Sequence, residues 1–145
     1  MAPSGPSTPR HTATANLYTY GSGRYLGAAA LAEWKSEFNR PADTYVPVEL
    51  DGGSGTANGH WNEQYGGATN TGIVSSATGM DLSHELMTGW ASDTFFISRA
   101  TLGALDDLGY QVDYSKAGLL AIPEIGNIVA TMLLLSGGLL IRRKP

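Results

Sequence analysis

The sequence predicts an α+β fold, made mostly of helices and irregular glycine-rich loops, with a separate transmembrane helix at its C-terminus. Three observations predict it. Two stretches carry apolar residues at helical spacing, glycine is abundant at 19 of 145 residues, and an uncharged apolar run occupies residues 125–141. A high glycine density favours loops and close backbone approaches over long regular elements.

The first helix is expected over residues 25–38. Four residues at a spacing of four, three and four share one face of it: Gly27, Leu31, Trp34 and Phe38. Pro41 should end the segment, because the residue before a proline avoids the α region. Residues 45–50 are then predicted to be extended, and Pro47 restricts them to an edge position.

The second helix is expected over residues 99–108. Ser98 is a suitable N-cap and Gly109 suits the first position after the helix. The predicted buried stripe consists of Leu102, Leu105 and Leu108. Asp106 and Asp107 are predicted to face solvent, where carboxylates near a helix C-terminus are mildly unfavourable.

Charge and composition exclude several classes of function. The formal net charge is −4, and three of the nine Lys and Arg residues lie within the last four positions. The part before residue 122 therefore has six basic against twelve acidic residues, a net charge of −6. Such an acidic body argues against nucleic acid as a partner. The absence of cysteine excludes disulfides and thiolate sites.

The C-terminal run has the arrangement of a membrane anchor. As a helix it would reach about 25 Å at 1.5 Å per residue, the short end of what spans a bilayer. The basic residues after it indicate the cytoplasmic side, so the body is expected on the other face of an inner membrane. A buried helix of a soluble domain is the alternative, although such a helix normally keeps a polar stripe and residues 132–135 are wholly apolar.

The same tail resembles the bacterial PEP-CTERM sorting signal, through Pro123, Glu124, Arg142, Arg143 and Lys144. It departs from that pattern at Ile125, where a second proline is usual. The resemblance implies export, with the membrane and an exosortase-type sorting protease as partners. It also implies a final location at the cell surface or outside the cell.

The body contains several short motifs in a fixed order. Gly-Ser-Gly-Thr-Ala-Asn-Gly-His-Trp-Asn-Glu occupies residues 53–63, Glu-Leu-Met-Thr-Gly residues 85–89, and Ile-Ser-Arg-Ala-Thr-Leu-Gly-Ala-Leu-Asp-Asp-Leu-Gly-Tyr residues 97–110. Together they resemble the C-terminal half of a leishmanolysin-like zinc metalloprotease domain, of the metzincin type. The resemblance covers residues 17–114.

That resemblance assigns roles to particular residues. His60 corresponds to the third zinc ligand and Met87 to the methionine of the turn beneath the metal, while Trp61 and Glu63 flank the ligand. Zinc is then the cofactor of the complete enzyme and a peptide its substrate. In such proteases a His-Glu-x-x-His helix supplies the other two imidazoles and the general base.

This chain lacks that helix motif. Its three histidines are His11, His60 and His84, and the fourth residue after His84 is Thr88 instead of histidine. One imidazole does not hold catalytic zinc, so we predict no catalytic residue, no zinc bound by this chain alone, and no peptide cleavage without the missing half. His60 as an ordinary surface-loop histidine, and Met87 as an ordinary core residue, remain open.

Two hypotheses for function follow. The first is an inactive, exported and membrane-anchored fragment of a zinc metalloendopeptidase. The second is a non-catalytic PEP-CTERM protein of the cell surface or extracellular matrix. A product that does not fold stably is a third possibility.

The expected organisation has four parts. A disordered segment covers residues 1–16, the protease-like subdomain 17–115, a linker 116–121, and the sorting tail 122–145. The first ten residues have neither the basic start nor the apolar core of a secretory signal. We therefore expect the chain to be the C-terminal part of a longer protein.

Overall fold

The computed structural model describes residues 16–63, 71–89 and 93–120. Two helices, two pairs of short strands and two single-turn 3-10 helices form the regular structure of these ranges. In chain order they are β1 (Arg24–Tyr25), α1 (Ala28–Glu37), β2 (Val46–Pro47), a 3-10 helix (Leu82–His84), β3 (Phe96–Ile97), α2 (Arg99–Asp107), a second 3-10 helix (Tyr114–Lys116) and β4 (Gly118–Leu119).

The strands form two antiparallel pairs. β1 pairs with β2, with Tyr25 opposite Val46, and β3 pairs with β4, with Ile97 opposite Gly118. β4 therefore lies within the segment that the sequence analysis expects to be a linker. Pro47 is the last residue of the short β2 strand. Proline has no backbone N–H to donate to a neighbouring strand, which restricts it to sheet edges and strand ends.

Isolated bridges connect the irregular middle of the chain to these strands. Trp61 bridges to Val48 on one side and to Thr88 on the other, and Glu85 bridges to Phe96. Segments far apart in sequence are thus joined by single backbone pairings instead of by long strands. This arrangement suits the glycine-rich composition, which disfavours continuous ladders.

The two helices pack closely against each other. A Cβ atom built on Gly103 of α2 would lie 2.7 Å from the backbone nitrogen of Ala30 in α1. The guanidinium of Arg99 at the start of α2 forms a salt bridge with Glu33, with 2.6 Å between Nε and Oε2. The helices are therefore antiparallel, since the beginning of α2 faces the second half of α1.

Each helix is capped by a carboxylate from the other. Asp107 at the end of α2 accepts hydrogen bonds from the backbone N–H groups of Ala29 and Ala30, at 2.9 and 3.0 Å. Glu37 at the end of α1 accepts one from the N–H of Arg99, at 2.6 Å. Both helix N-termini thus gain a negative partner, which satisfies free donors and favours the helix dipole.

The hydrophobic core lies between the helices and the bridged loops. It consists of Tyr25, Ala30, Trp34, Phe38, Val46, Val48, Trp61, Ile73, Leu82, Phe96 and Ala100. Trp34 and Phe38 confirm the predicted apolar face of the first helix. Its observed bounds are shorter than predicted because Tyr25 belongs to β1 and Gly27 is the N-cap.

The second helix has its predicted N-cap, ends one residue earlier than predicted, and buries Leu102 of the predicted stripe. The Ser98 hydroxyl accepts the N–H of Thr101, and Gly109 takes a left-handed φ of 92°. Leu105 and Leu108, however, are 37% and 60% exposed. The small residues of α2 face α1 instead, because only they allow the close approach at Gly103.

The predicted fold class is wrong. We expected a mostly helical α+β domain followed by a transmembrane helix, whereas the described residues form two short helices and two small antiparallel sheets. Within residues 16–63, 71–89 and 93–120, none of the helices has both the length and the apolar character that a membrane crossing requires. The predicted transmembrane helix, and the inner-membrane location that depends on it, are therefore not supported by the described residues. The tail residues Pro123, Glu124, Arg142, Arg143 and Lys144 lie outside the described residues.

Candidate functional site

His60 stands on a turn that fixes the orientation of its ring. Nδ1 lies 3.0 Å from the carbonyl oxygen of Thr56. A carbonyl oxygen only accepts hydrogen bonds, so Nδ1 is the donor of this bond, and Nε2 is the nitrogen that keeps a lone pair when the ring is neutral. A backbone carbonyl on one ring nitrogen is a common way to orient a metal-binding histidine.

The turn before His60 is held at its base by Asn58. Asn58 adopts a left-handed φ of 67°, and its side-chain oxygen accepts hydrogen bonds from the Tyr18 hydroxyl and, at 2.7 Å, from the N–H of Gly21. Asparagine tolerates this backbone region better than most residues. After the turn, the carbonyl of His60 accepts the N–H of Glu49 at 2.9 Å.

The methionine turn lies directly beside the histidine segment. The N–H of Trp61 donates to the carbonyl oxygen of Met87 at 2.8 Å, and Trp61 bridges to Thr88 in parallel orientation. His60 and Met87 are therefore neighbours across one backbone pairing, although 27 positions separate them in sequence.

Glu85, at the start of the turn, is fully buried and fully hydrogen-bonded. Its carboxylate accepts from the N–H of Met87 at 2.5 Å, from the N–H and hydroxyl of Ser98 at 3.0 and 2.9 Å, and from the hydroxyl of Thr101 at 2.6 Å. Burial raises the pKa of Glu85 above its ordinary value, although these four donors oppose the shift.

A hydrogen-bonded chain continues from Glu85 to the histidine segment. The indole N–H of Trp61 donates to the Thr101 hydroxyl at 2.7 Å, and that hydroxyl donates to Glu85. Thr101 thus joins α2 to both the histidine segment and the methionine turn. Such a buried network stabilises one arrangement of the segments only when all of its polar groups are satisfied.

A largely apolar groove opens between these segments and α2. Its volume is about 400 Å³, which is within the usual range for ligand pockets. We use the term groove for the surface formed by Trp61, Leu86, Met87, Ile97, Leu105 and Leu108, with His60 also in its lining. The ring of Tyr25 packs edge-on against Trp61, with 5.6 Å between ring centroids.

Glu63 is the one site residue with an unexplained carboxylate. It is 1% exposed, and neither of its carboxylate oxygens has a hydrogen-bond partner among the described residues. Burying a carboxylate without hydrogen-bond partners is costly in free energy. The sequence gives no reason for its burial.

The predicted site residues are only partly brought together. His60, Trp61 and Met87 share the groove lining, whereas His84 lies on the first 3-10 helix and His11 lies outside the described residues. Within the described ranges, no group of three or more histidine, aspartate or glutamate side chains is arranged to hold a metal ion. In the groove lining, His60 is the one side chain among the histidine, aspartate and glutamate residues that the structure describes.

The buried network contains residues that the sequence analysis did not assign to the site. Thr101 lies three residues after the predicted N-cap Ser98, which is the spacing at which a capping side chain finds its backbone partner. That spacing was the one local feature of the sequence that pointed to Thr101. Glu85 belongs to the quoted Glu-Leu-Met-Thr-Gly motif but had no role beyond it.

Comparisons of the chain with protein-family models, with curated proteins and with solved structures found no match. The resemblance to leishmanolysin-like proteases therefore rests on the quoted motifs alone.

Proposed function

We propose that this chain supplies the third zinc ligand and the methionine turn of a leishmanolysin-like zinc metalloendopeptidase. The observation that carries the proposal is the pairing of the His60 segment with the Met87 turn, through Trp61 N–H and the Met87 carbonyl at 2.8 Å. The quoted motifs assign a joint role to His60 and Met87, and the two residues are neighbours in space.

The chemistry of His60 fits a zinc ligand. Its Nδ1 proton is held by Thr56, which leaves Nε2 available as a neutral donor of the kind that binds zinc. A bound zinc ion in such enzymes polarises the scissile carbonyl and lowers the pKa of its water. Two further ligands and the general base must come from a His-Glu-x-x-His helix that this sequence does not contain.

The remaining site residues position His60 and shape its surroundings. Thr56 sets the ring orientation, and the network of Glu85, Thr101 and Trp61 holds the two segments together. The groove beside His60 is lined mainly by apolar side chains, which suits an apolar side chain of a peptide. In this proposal the chain positions the His60 ring but lacks the other zinc ligands and the general base. The chain by itself is therefore not expected to cleave casein.

Zinc titration of the purified chain tests the proposal. One imidazole binds zinc only weakly, so Zn²⁺ is added to about millimolar concentration. In a ¹H–¹⁵N correlation spectrum of the imidazole nitrogens, this excess of Zn²⁺ is expected to shift Nε2 of His60 while the Nδ1 signal stays protonated. His60→Ala should abolish the zinc-dependent shifts in that spectrum. His84→Ala is the matched control, since His84 is also partly buried but lies outside the groove lining, and it should retain them.

Two results would contradict the proposal. One is a zinc response that persists in His60→Ala, which would assign the binding to another group. The other is the absence of any response at His60, which would favour a non-catalytic role for this surface. Chelator-sensitive cleavage of casein by the chain alone would contradict the predicted need for a further segment.

A further inference from the structure

A second cavity lies at the C-terminal end of α2. Its volume is about 380 Å³, within the usual range for ligand pockets. The residues that line it are all different from those that line the groove, so it lies outside the candidate zinc site. We call it the tyrosine cavity, and its lining consists of Asp106, Gly109, Tyr110, Gln111, Val112 and Tyr114.

The cavity forms where the chain folds back on the end of α2. Gly109 takes its left-handed φ of 92°, and the N–H of Tyr110 donates to the carbonyl oxygen of Leu105 at 3.0 Å. Four residues later, Tyr114 returns to the helix, and its hydroxyl donates to Oδ2 of Asp106 at 3.1 Å. The space between the helix end and this returning segment is the cavity.

The carboxylate of Asp106 has no positive partner within the described residues. The last turn of α2 contains Asp106 and Asp107 and no basic residue, although the negative end of a helix dipole favours cations. Asp107 is compensated, because its carboxylate caps the positive end of α1. Asp106 is half-buried, and in the described ranges Tyr114 is the one donor to its carboxylate, which leaves Oδ1 available.

The two tyrosine rings in the lining suit a cation, because the face of an aromatic ring is negative. The ring of Tyr114 already lies 5.2 Å from the guanidinium of Arg99, whose charge is paired with Glu33. Burial raises the pKa of Tyr114 to about 12, and the hydrogen bond to Asp106 and the nearby negative charges add to this shift. The ring of Tyr110 is 64% exposed and open to a ligand.

We propose that the tyrosine cavity binds an alkyl ammonium ion, the group carried by an amine or by a lysine side chain. The ammonium N–H donates to Oδ1 of Asp106, and the alkyl carbons lie against the rings of Tyr110 and Tyr114. Among the described residues that line the cavity none is basic, so no lining side chain repels the ligand. The proposal does not depend on zinc or on the proposed function.

Other small ions fit this lining less well. A calcium ion takes about six to eight oxygen ligands, whereas the lining offers the carboxylate of Asp106 and aromatic rings that supply little further coordination. An anion would meet the charge of Asp106 directly. An alkyl ammonium ion makes use of both the carboxylate and the rings.

Titration of the full chain with n-butylammonium chloride tests the proposal. Backbone ¹H–¹⁵N correlation spectra are recorded at constant ionic strength, because salt screens exposed charges. Saturable shifts are expected at Gly109, Gln111 and Val112. n-Butanol has a similar shape without the charge and should not produce them. Shifts that do not saturate, or that n-butanol reproduces, overturn the proposal.

Asp106→Asn removes the charge but keeps an oxygen that accepts from Tyr114. It is expected to weaken butylammonium binding by about threefold to fivefold. Asp113→Asn is the matched control, since it removes the same charge from an exposed residue outside the lining, and it should bind as the natural chain does. Equal weakening in the two variants overturns the proposal in favour of a general attraction to the acidic body.

Tyr110→Leu provides a test that leaves the hydrogen bonds of Asp106 in place. It keeps an apolar side chain at an exposed position but removes the aromatic face, and it should weaken binding by about twofold to fivefold. Unchanged binding in this variant overturns the role of the ring. Circular dichroism checks that each variant keeps its helices.

A capped glycyl-lysyl-glycine tripeptide distinguishes the two sources of the ammonium group. Tighter binding of the tripeptide than of butylammonium supports a lysine side chain of a peptide as the ligand. Equal affinity supports recognition of the ammonium group alone, as in a free amine. Absence of binding by both overturns the proposal.

Discussion

The backbone of Gly27 lies directly against the side chain of Asp107. A Cβ atom at position 27 would stand 2.0 Å from Oδ2 of that carboxylate, far inside contact distance. The same carboxylate accepts the first free N–H groups of α1, a helix that has no side-chain cap of its own. Only glycine at position 27 leaves room for the Asp107 carboxylate, which reaches across from α2 to cap the start of α1.

Removing this cap should destabilise the fold. Asp107→Ala is expected to lower the free energy of unfolding by about 1 kcal/mol, the usual cost of losing a helix N-cap. Gly27→Ala should cost at least as much, because its methyl group displaces the carboxylate. Urea unfolding followed by circular dichroism measures both.

Asp106→Ala serves as the control for the cap. The Asp106 carboxylate accepts a hydrogen bond from the Tyr114 hydroxyl at 3.1 Å and takes no part in capping α1. We expect a smaller loss of stability than in Asp107→Ala. Equal losses in the two variants would contradict the assigned role of Asp107.

The contact between Gly103 and Ala30 should be sensitive to a single methyl group. Gly103→Ala inserts a Cβ 2.7 Å from the backbone of α1, and overpacking of this kind typically costs about 1–3 kcal/mol. Thermal unfolding is expected to show a lower midpoint. Gly55→Ala is the matched control, since nothing lies within 4 Å of that Cβ position and the midpoint should stay nearly constant.

Thr101→Val tests the network beneath the groove. The replacement keeps the shape of the side chain but removes the hydroxyl that accepts from Trp61 and donates to Glu85. A buried indole N–H without a partner costs about 1–3 kcal/mol. We expect lower stability in urea, whereas Thr101→Ser, which keeps the hydroxyl, should lose less. Similar losses in both variants would show that the methyl contacts matter more than the hydrogen bonds.

Glu85 should make stability depend on pH in a defined direction. Because its pKa is raised by burial in the fold, the folded state binds more protons than the unfolded state above the ordinary value of 4.5. The stabilisation from this group is therefore fully present below pH 4.5 and is lost as the pH rises through the raised pKa.

Glu85→Gln isolates this contribution because glutamine does not titrate. The variant loses hydrogen-bond acceptors and should be less stable at acid pH. The difference from the natural chain should narrow as the pH rises towards neutrality. Urea unfolding measured between pH 4 and pH 7 gives both curves, and a difference that widens with pH would refute the assigned direction.

The helix ends could be predicted because their signals are local. Ser98 caps α2 through its own hydroxyl, and Gly109 adopts the left-handed conformation that ends it, with the N–H of Tyr110 bonded to the carbonyl of Leu105. Each of these features depends on residues within one or two turns. The spacing of residues along the sequence is therefore enough to predict where α2 begins and ends.

The faces of the helices could not be predicted in the same way. Spacing alone favoured Leu105 and Leu108 as buried residues, but the close contact at Gly103 rotates the small side chains of α2 towards α1. Asp107 was expected to face solvent and instead caps a helix whose start lies 78 residues away. These roles depend on tertiary partners, and periodicity does not identify them.

For the candidate site, sequence reasoning grouped His60 with Met87 but did not predict the hydrogen bonds that hold their segments together. Their roles came from the order of short motifs, and their adjacency now has a structural basis in the Trp61 pairing. The buried carboxylate of Glu85 could not be anticipated, since glutamate is seldom fully buried unless hydrogen-bonded groups surround it. The zinc assignment itself remains a proposal.

The carboxylate of Glu85 gathers donors from residues 87, 98 and 101, so these positions do not vary independently. A substitution that is harmful at one of them can become harmless once a second has changed, which is measurable as a non-additive double-mutant cycle. In any set of natural variants of this chain, we expect Ser98 and Thr101 to change together with Glu85. Glu85, Ser98 and Thr101 would then be kept or replaced together, because they jointly link the start of α2 to the methionine turn.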